Sequence, residues 1–330
     1  MPYRFRVAAI SALMLTASVF SAVPAAAVSA PQKVAIIVGP LGTGTDSYRQ
    51  DADRTAAAAE AAGATVVKVY SPNATWANVK AAVNGANIVI YMGHGNGYPN
   101  PYSTGVEYRD RVNGWGLNRV AGAGDGDNWS TTMVYCGEKA ILGTLTSSDG
   151  AAQWSYCGGS TNTDGINPAP NWVMIYGNAC YTPGASESWD TPATESVAYE
   201  RVRNYSYPAL AAGASAYYAS DLGTDWLVTS ILENPSLTWT DITRAANGYD
   251  EAAQRHFAHP DVVNAEIWIQ QTSRRSGGTP DYLFAFAGNP FGRPDGTPTS
   301  GTPFTDIDAS TFRSDIIWLW ESGITSGCTA

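Results

Sequence analysis

Apolar residues in this chain fall into short runs separated by longer amphipathic or Ala-rich stretches. Residues 33–39 form an apolar run that ends in Gly39, which predicts a buried strand. Residues 47–62 are Ala-rich and free of Pro and Gly, which predicts a helix stopped by Gly63. Residues 65–70 predict a second strand. Thr75 caps a helix running to Val83, with Gly85 as its stop, and residues 88–92 predict a third strand that leads into Gly93-His94-Gly95. The pattern resumes at residues 172–176, a fourth strand that leads into Gly177-Asn178-Ala179-Cys180. Residues 191–205 read as a helix, 208–213 as a small-residue link and 214–220 as a fifth strand. Residues 225–232 and 239–246 read as helices, and 281–286 as a sixth strand or late hairpin. Strands alternating with helices predict an α/β fold, with a mostly parallel sheet and right-handed crossovers. Between about residues 96 and 170 the chain is rich in Gly, Asn, Ser and Thr, with a hairpin-like patch at 132–143. This predicts a long, loop-rich insertion over the sheet.

The first 27 residues have a different pattern. Arg4 and Arg6 precede an apolar stretch over residues 7–23, and Pro24-Ala25-Ala26-Ala27 supplies a small-residue cleavage site. This is the layout of a secretory signal peptide; the stretch is short for a span of about 20 residues. The mature chain is expected to begin near Val28, to be secreted or extracellular, and to contain no membrane span. Export permits disulfides. Four cysteines allow three connectivities. Cys136 (in Tyr135-Cys136-Gly137) and Cys157 (in Tyr156-Cys157-Gly158) share near-matching contexts, so they are the expected pair, and Cys180 and Cys328 are left free.

The chain has 330 residues, 44% of them hydrophobic, enough for a large α/β domain with an appendage. Charged residues make up only 15%, and 19 Lys and Arg against 29 Asp and Glu leave a net charge of −10. Such an acidic protein repels phosphate backbones, which argues against a nucleic-acid partner.

The chemistry rests on two strand ends. In an open α/β sheet, ligands bind at the carboxyl ends of strands, so His94 and Cys180 are expected to face one crevice. A thiol beside an imidazole suits nucleophilic catalysis, and the amides of Gly95 and Cys180 suit an oxyanion hole. At Gly93-His94-Gly95 and Ala179-Cys180, each after an apolar strand, the chain resembles the caspase-like cysteine peptidases (clan CD: caspases, metacaspases, legumain, gingipains). The later Gly213-Ala214-led strand fits the same pattern. The resemblance covers roughly residues 33–235 and is strongest to exported bacterial proteins of unassigned activity. It implies a caspase-like three-layer sandwich with helices on both faces of the sheet, Cys180 as nucleophile, His94 as general acid/base, and a protein or peptide substrate. Members with acidic pockets often carry Asp or Glu two residues before the Cys. Here Asn178 holds that place, so Asp46 and Asp221 are the candidates to supply acid to a substrate pocket. The opposing expectation is a non-catalytic surface protein that uses the same crevice for binding.

Other motifs carry less. His256 and His259 have a spacing a metal can use, but no Cys or third His lies nearby, and they read as two surface histidines. Asp125-Gly126-Asp127-Asn128 reads as a plain turn with Ca²⁺ as the minority reading, since it lacks the later Glu of an EF-hand loop. No other cofactor or metal is implied. Gly39-Pro40-Leu41-Gly42-Thr43-Gly44 lacks the Lys-Ser/Thr of a phosphate loop. Residues 289–303 read as a linker. After it, Phe304-Thr305-Asp306, an apolar face on Ile316, Leu319, Trp320 and Ile324, and Gly323-Ile324-Thr325-Ser326-Gly327 resemble the first half of an S-layer homology motif over residues 304–330. That resemblance implies attachment to a cell-wall polymer. A short terminal helix packed on the main domain is the alternative.

Overall fold

The computed structural model describes residues 31–97, 99, 113–158, 164–187, 190–246, 248–272, 280–296, 307 and 310–321. The expected signal peptide, Cys328 and most of the segment resembling an S-layer motif lie outside the described residues.

An eight-stranded sheet organises the chain, in the order β2-β1-β3-β6-β7-β10-β9-β8. Its first five members are parallel: β2 (Thr65–Tyr70), β1 (Lys33–Val38), β3 (Ile88–Met92), β6 (Val173–Gly177) and β7 (Ala216–Ser220). The last three are antiparallel: β10 (Asp281–Gly288), β9 (Glu266–Thr272) and β8 (Gln254–Ala258). The apolar runs of the sequence became the central strands because both of their faces are covered. Residues 281–286 are therefore a full sheet strand, and two further strands precede it that the hydrophobic pattern did not mark.

Each face of the sheet packs its own core. On one face, Val34, Ile36 and Val38 meet α1 (Thr45–Ala61), α6 (Asp225–Glu233) and α7 (Trp239–Arg244). Ala52, Ala56 and Ala59 recur at helical spacing on α1, and their small side chains let it lie close to the strands. On the other face, Ala35 and Ile37 belong to a core with α2 (Trp76–Val83) and α5 (Glu195–Ala211). α5 starts four residues later than the pattern suggests, because Thr194 accepts the cap hydrogen bond from Val197 N. It runs through Pro208 to Ala211, so the expected link at 208–213 is mostly helix.

The insertion is more ordered than its composition implies. It contains a two-stranded ribbon, β4 (Trp115–Asn118) with β5 (Met133–Cys136), and the short helices α3 (Glu138–Leu142) and α4 (Ala151–Cys157). The hairpin-like patch is thus one strand and one helix, and β5 pairs back to β4 across a loop at 119–132. Cys136 and Cys157 form a disulfide, with Cα atoms 5.5 Å apart. At the far end, Trp239 N and Thr240 N of α7 donate to the carbonyls of Gly292 and Pro290, which ties the first residues of the expected linker to the domain. α8 (Arg313–Glu321) buries Ile317 with Phe291 and Ile307. Among the described residues, no helix is long and apolar enough to cross a membrane.

Candidate active site

The sheet places the two strand ends side by side. β3 and β6 are parallel neighbours, with Met92 opposite Gly177 in register, and β7 follows with Ser220 opposite Gly177. His94, Cys180 and Asp221 therefore leave the same edge, at the carboxyl ends of adjacent strands. β1 sits between β2 and β3, so the sheet's topological switch point falls between β1 and β3, one strand over from the β3 and β6 ends that carry His94 and Cys180.

The loop after β3 is built against the loop after β6. A Cβ on Gly95 would overlap the carbonyl oxygen of Cys180, and one on Gly97 would run into the Tyr205 ring. Close backbone approach thus accounts for the Gly-His-Gly-Asn-Gly run. Tyr91 donates its hydroxyl hydrogen to the His94 carbonyl (3.0 Å) and accepts from Gly116 N (2.8 Å). Asn96 N donates to the hydroxyls of Tyr205 (2.6 Å) and Tyr135 (3.1 Å), which lie 2.8 Å from each other. Both phenols are fully buried, and burial pushes the Tyr135 hydroxyl up to about 12, so it serves here as a neutral hydrogen-bonding group.

His94 is half-buried. Its Nε2 lies 3.5 Å from the Asp127 carboxylate, and its ring is 6.0 Å from that of Trp129. Burial pulls the imidazole below its ordinary value, while Asp127 and Glu187 oppose the shift; the net direction is down. The ring is therefore neutral near pH 7. Nε2 is buried without a hydrogen bond, with the Asp127 carboxylate on its side of the ring. Asp127 is the acidic neighbour of His94 that the sequence did not identify. It comes from the acidic turn at 125–128, whose two carboxylates have separate partners. Asp125 accepts from Arg49 and from Ser71 Oγ (2.8 Å), and Asp127 faces His94.

Cys180 is a free, half-buried thiol. Its Sγ donates to Glu187 Oε2 at 3.2 Å. Burial pushes the thiol well above its ordinary value, and the charges of Glu187 and Asp221 push it further the same way. Two residues around it, Asn178 and Tyr181, have left-handed backbone (φ +51° and +68°). Tyr181 pays for that conformation, at roughly 1–3 kcal/mol for a bulky residue, by packing its ring under Arg201, 4.7 Å from centroid to guanidinium carbon. Arg201 is buried and donates to the carbonyls of Gly184 (3.0 Å) and Ala185 (2.9 Å) and to Ser186 Oγ (3.2 Å). The buried carboxylate of Asp281 accepts from Ser186 N (3.1 Å) and Ala193 N (3.3 Å). These two side chains fix the loop that carries Glu187. A cavity of about 430 Å³ opens beside it, lined in part by Ser186, Asp190 and Arg201.

The candidate pocket residues separate. Asn178 is at the crevice: its carbonyl accepts from Tyr48 Oη (2.7 Å), and its amide approaches Asp51 at 3.4 Å. Asp221 bears electrostatically on both Cys180 and Tyr48. Asp46 stands exposed at the start of α1, paired with Arg49 at 2.7 Å, and the α1 carboxylate beside Asn178 is Asp51. Tyr48, Asp51 and Thr55 recur at helical spacing on α1.

The two histidines of the metal-like spacing do not converge. His256 lies flat on Trp268 with ring centroids 4.0 Å apart. His259 is buried, contrary to the expectation of a surface residue. It packs on α5, with Nε2 3.1 Å from Ser206 Oγ and Nδ1 accepting from Asp261 N. Strand alternation puts the first outside, and the turn after β8 folds the second in. Among the described residues, no group of three or more His, Cys, Asp or Glu is arranged to hold a metal.

Comparison with family models, with curated proteins and with solved structures finds no match.

Proposed function

We propose that this chain is an exported cysteine peptidase of caspase-like, three-layer architecture, in which Cys180 attacks the peptide carbonyl and His94 moves the proton. The observation that carries the reading is the contact of Gly95 with the Cys180 backbone, which brings the loops bearing a neutral imidazole and a free thiol together at one sheet edge. His94 takes the thiol proton as the sulfur–carbon bond forms. The amides of Gly95 and Cys180 donate to the oxyanion. His94 then protonates the amine as the carbon–nitrogen bond breaks. Water, deprotonated by His94, cleaves the thioester, and the proton returns to sulfur. Asp51, Glu187 and Asp221 make the crevice acidic, which favours substrates with a positive charge near the scissile bond. The Cys136–Cys157 disulfide suits an oxidising compartment.

A second reading has one observation in its favour. The thiol is hydrogen-bonded to a carboxylate and held protonated, which suits a crevice that binds a cationic ligand without reacting. Incubation of the mature protein with a mixed fluorogenic peptide library, beside Cys180→Ala and His94→Ala, separates the two. Cleavage lost in both variants supports the peptidase; no cleavage by the parent protein or by Glu187→Gln supports binding alone.

A further inference from the structure

Glu187 contributes nothing to the hydrolysis scheme, yet its carboxylate is the hydrogen-bond acceptor of the nucleophile, at 3.2 Å. Its place is built. The residue before it is held through its backbone N by Asp281 and through its hydroxyl by Arg201. The charged groups that bear most on the sulfur are Glu187 and Asp221, both acidic. Tyr48 from α1 and Tyr135 from β5 face it as neutral phenols. The Glu187 charge also bears on His94 and Arg201. A carboxylate that accepts from a thiol favours S–H and opposes the thiolate, the reverse of the cationic surroundings that activate a cysteine.

We propose that Glu187 is a latch on the nucleophile: it keeps Cys180 a protonated thiol in the resting protein, and the sulfur becomes reactive when Glu187 is neutralised or re-paired. The latch rests on the reading of Cys180 as nucleophile. On release the thiol proton passes to His94, as in the scheme above, so no further reactant is needed.

The test is the rate of iodoacetamide labelling at Cys180 from pH 6 to pH 10, mapped by mass spectrometry, in the mature full-length chain and in Glu187→Gln. Each unit by which a thiol pKa falls multiplies the thiolate fraction about tenfold and cuts its intrinsic reactivity about threefold. Glu187→Gln is expected to move the profile to lower pH and to speed labelling at pH 7 about three- to tenfold. Glu187→Asp, which draws the carboxylate back, gives a smaller acceleration and serves as the test if the Gln variant does not fold. An unchanged or slower rate in the folded variant overturns the latch. A shifted profile in a variant that still cleaves no peptide leaves the latch standing and removes the peptidase reading instead.

Discussion

Gly95 lies with its Cα against the backbone of Cys180, so closely that no side chain fits between the loops that follow β3 and β6. Gly95→Ala must therefore push the loops apart, because the obstacle is backbone and cannot rotate away. Forcing a methyl into a packed site typically costs about 1–3 kcal/mol. The expected result is a folded protein with a lower Tm and peptide cleavage reduced by at least tenfold. Thermal unfolding followed by circular dichroism, with cleavage rates on the same samples, checks both.

Asp127→Asn should act through His94. Burial lowers the imidazole and Asp127 opposes that shift, so its loss lowers the imidazole further. An NMR titration should show the His94 ring titrating at lower pH in the variant than in the parent, with cleavage reduced and the fold intact. A His94 midpoint that does not move would remove Asp127 from the site.

The same depressed imidazole has a stability consequence. Above its ordinary value, about 6.5, His94 is neutral in both folded and unfolded chains and contributes nothing to pH dependence. Below that, the unfolded chain binds the proton before the folded one does, so stability falls as pH falls from 6.5 toward the lower folded value. His94→Gln should flatten that part of the curve in denaturant unfolding measured between pH 5 and pH 7.

Arg201→Met leaves the carbonyls of Gly184 and Ala185 without their donor and removes the partner of Tyr181. Each buried carbonyl left without its donor costs about 1–3 kcal/mol. A fall in Tm of roughly 10 °C is expected, with proteolysis beginning in the 181–193 loop. Cys136→Ser with Cys157→Ser opens a loop of 21 residues' separation and should cost about 3 kcal/mol. Because Tyr135 precedes Cys136 and holds Asn96, cleavage should fall as well.

Much of the architecture was legible in the sequence. β1, β3, β6 and β7 are short apolar runs because both faces of a central strand are buried, and they are recognisable without a partner; β2, at the sheet edge, is recognisable by its β-branched residues. β9 was not recognisable in that way: its run Glu266-Ile-Trp-Ile-Gln270 carries polar residues that are satisfied only once Gln270 meets Asp250 N and Gln254. β4 carries no hydrophobic pattern, being four residues long with Gly116 inside it. The site divides on the same line. His94 and Cys180 sit at strand ends that hydrophobicity marks. Asp127, Asp51 and Glu187 come from a turn, a helix face and a loop that only the fold brings to that edge.

The central claim is that Cys180 forms a thioester with substrate under the control of His94. Mixing the mature protein with a pool of activated peptide esters, quenching in acid within seconds and measuring intact mass tests it most directly. The account predicts an acyl adduct that maps to Cys180, is absent in Cys180→Ala and is much reduced in His94→Ala. An adduct of equal yield in the parent and in His94→Ala, or none in the parent and in Glu187→Gln, would contradict it.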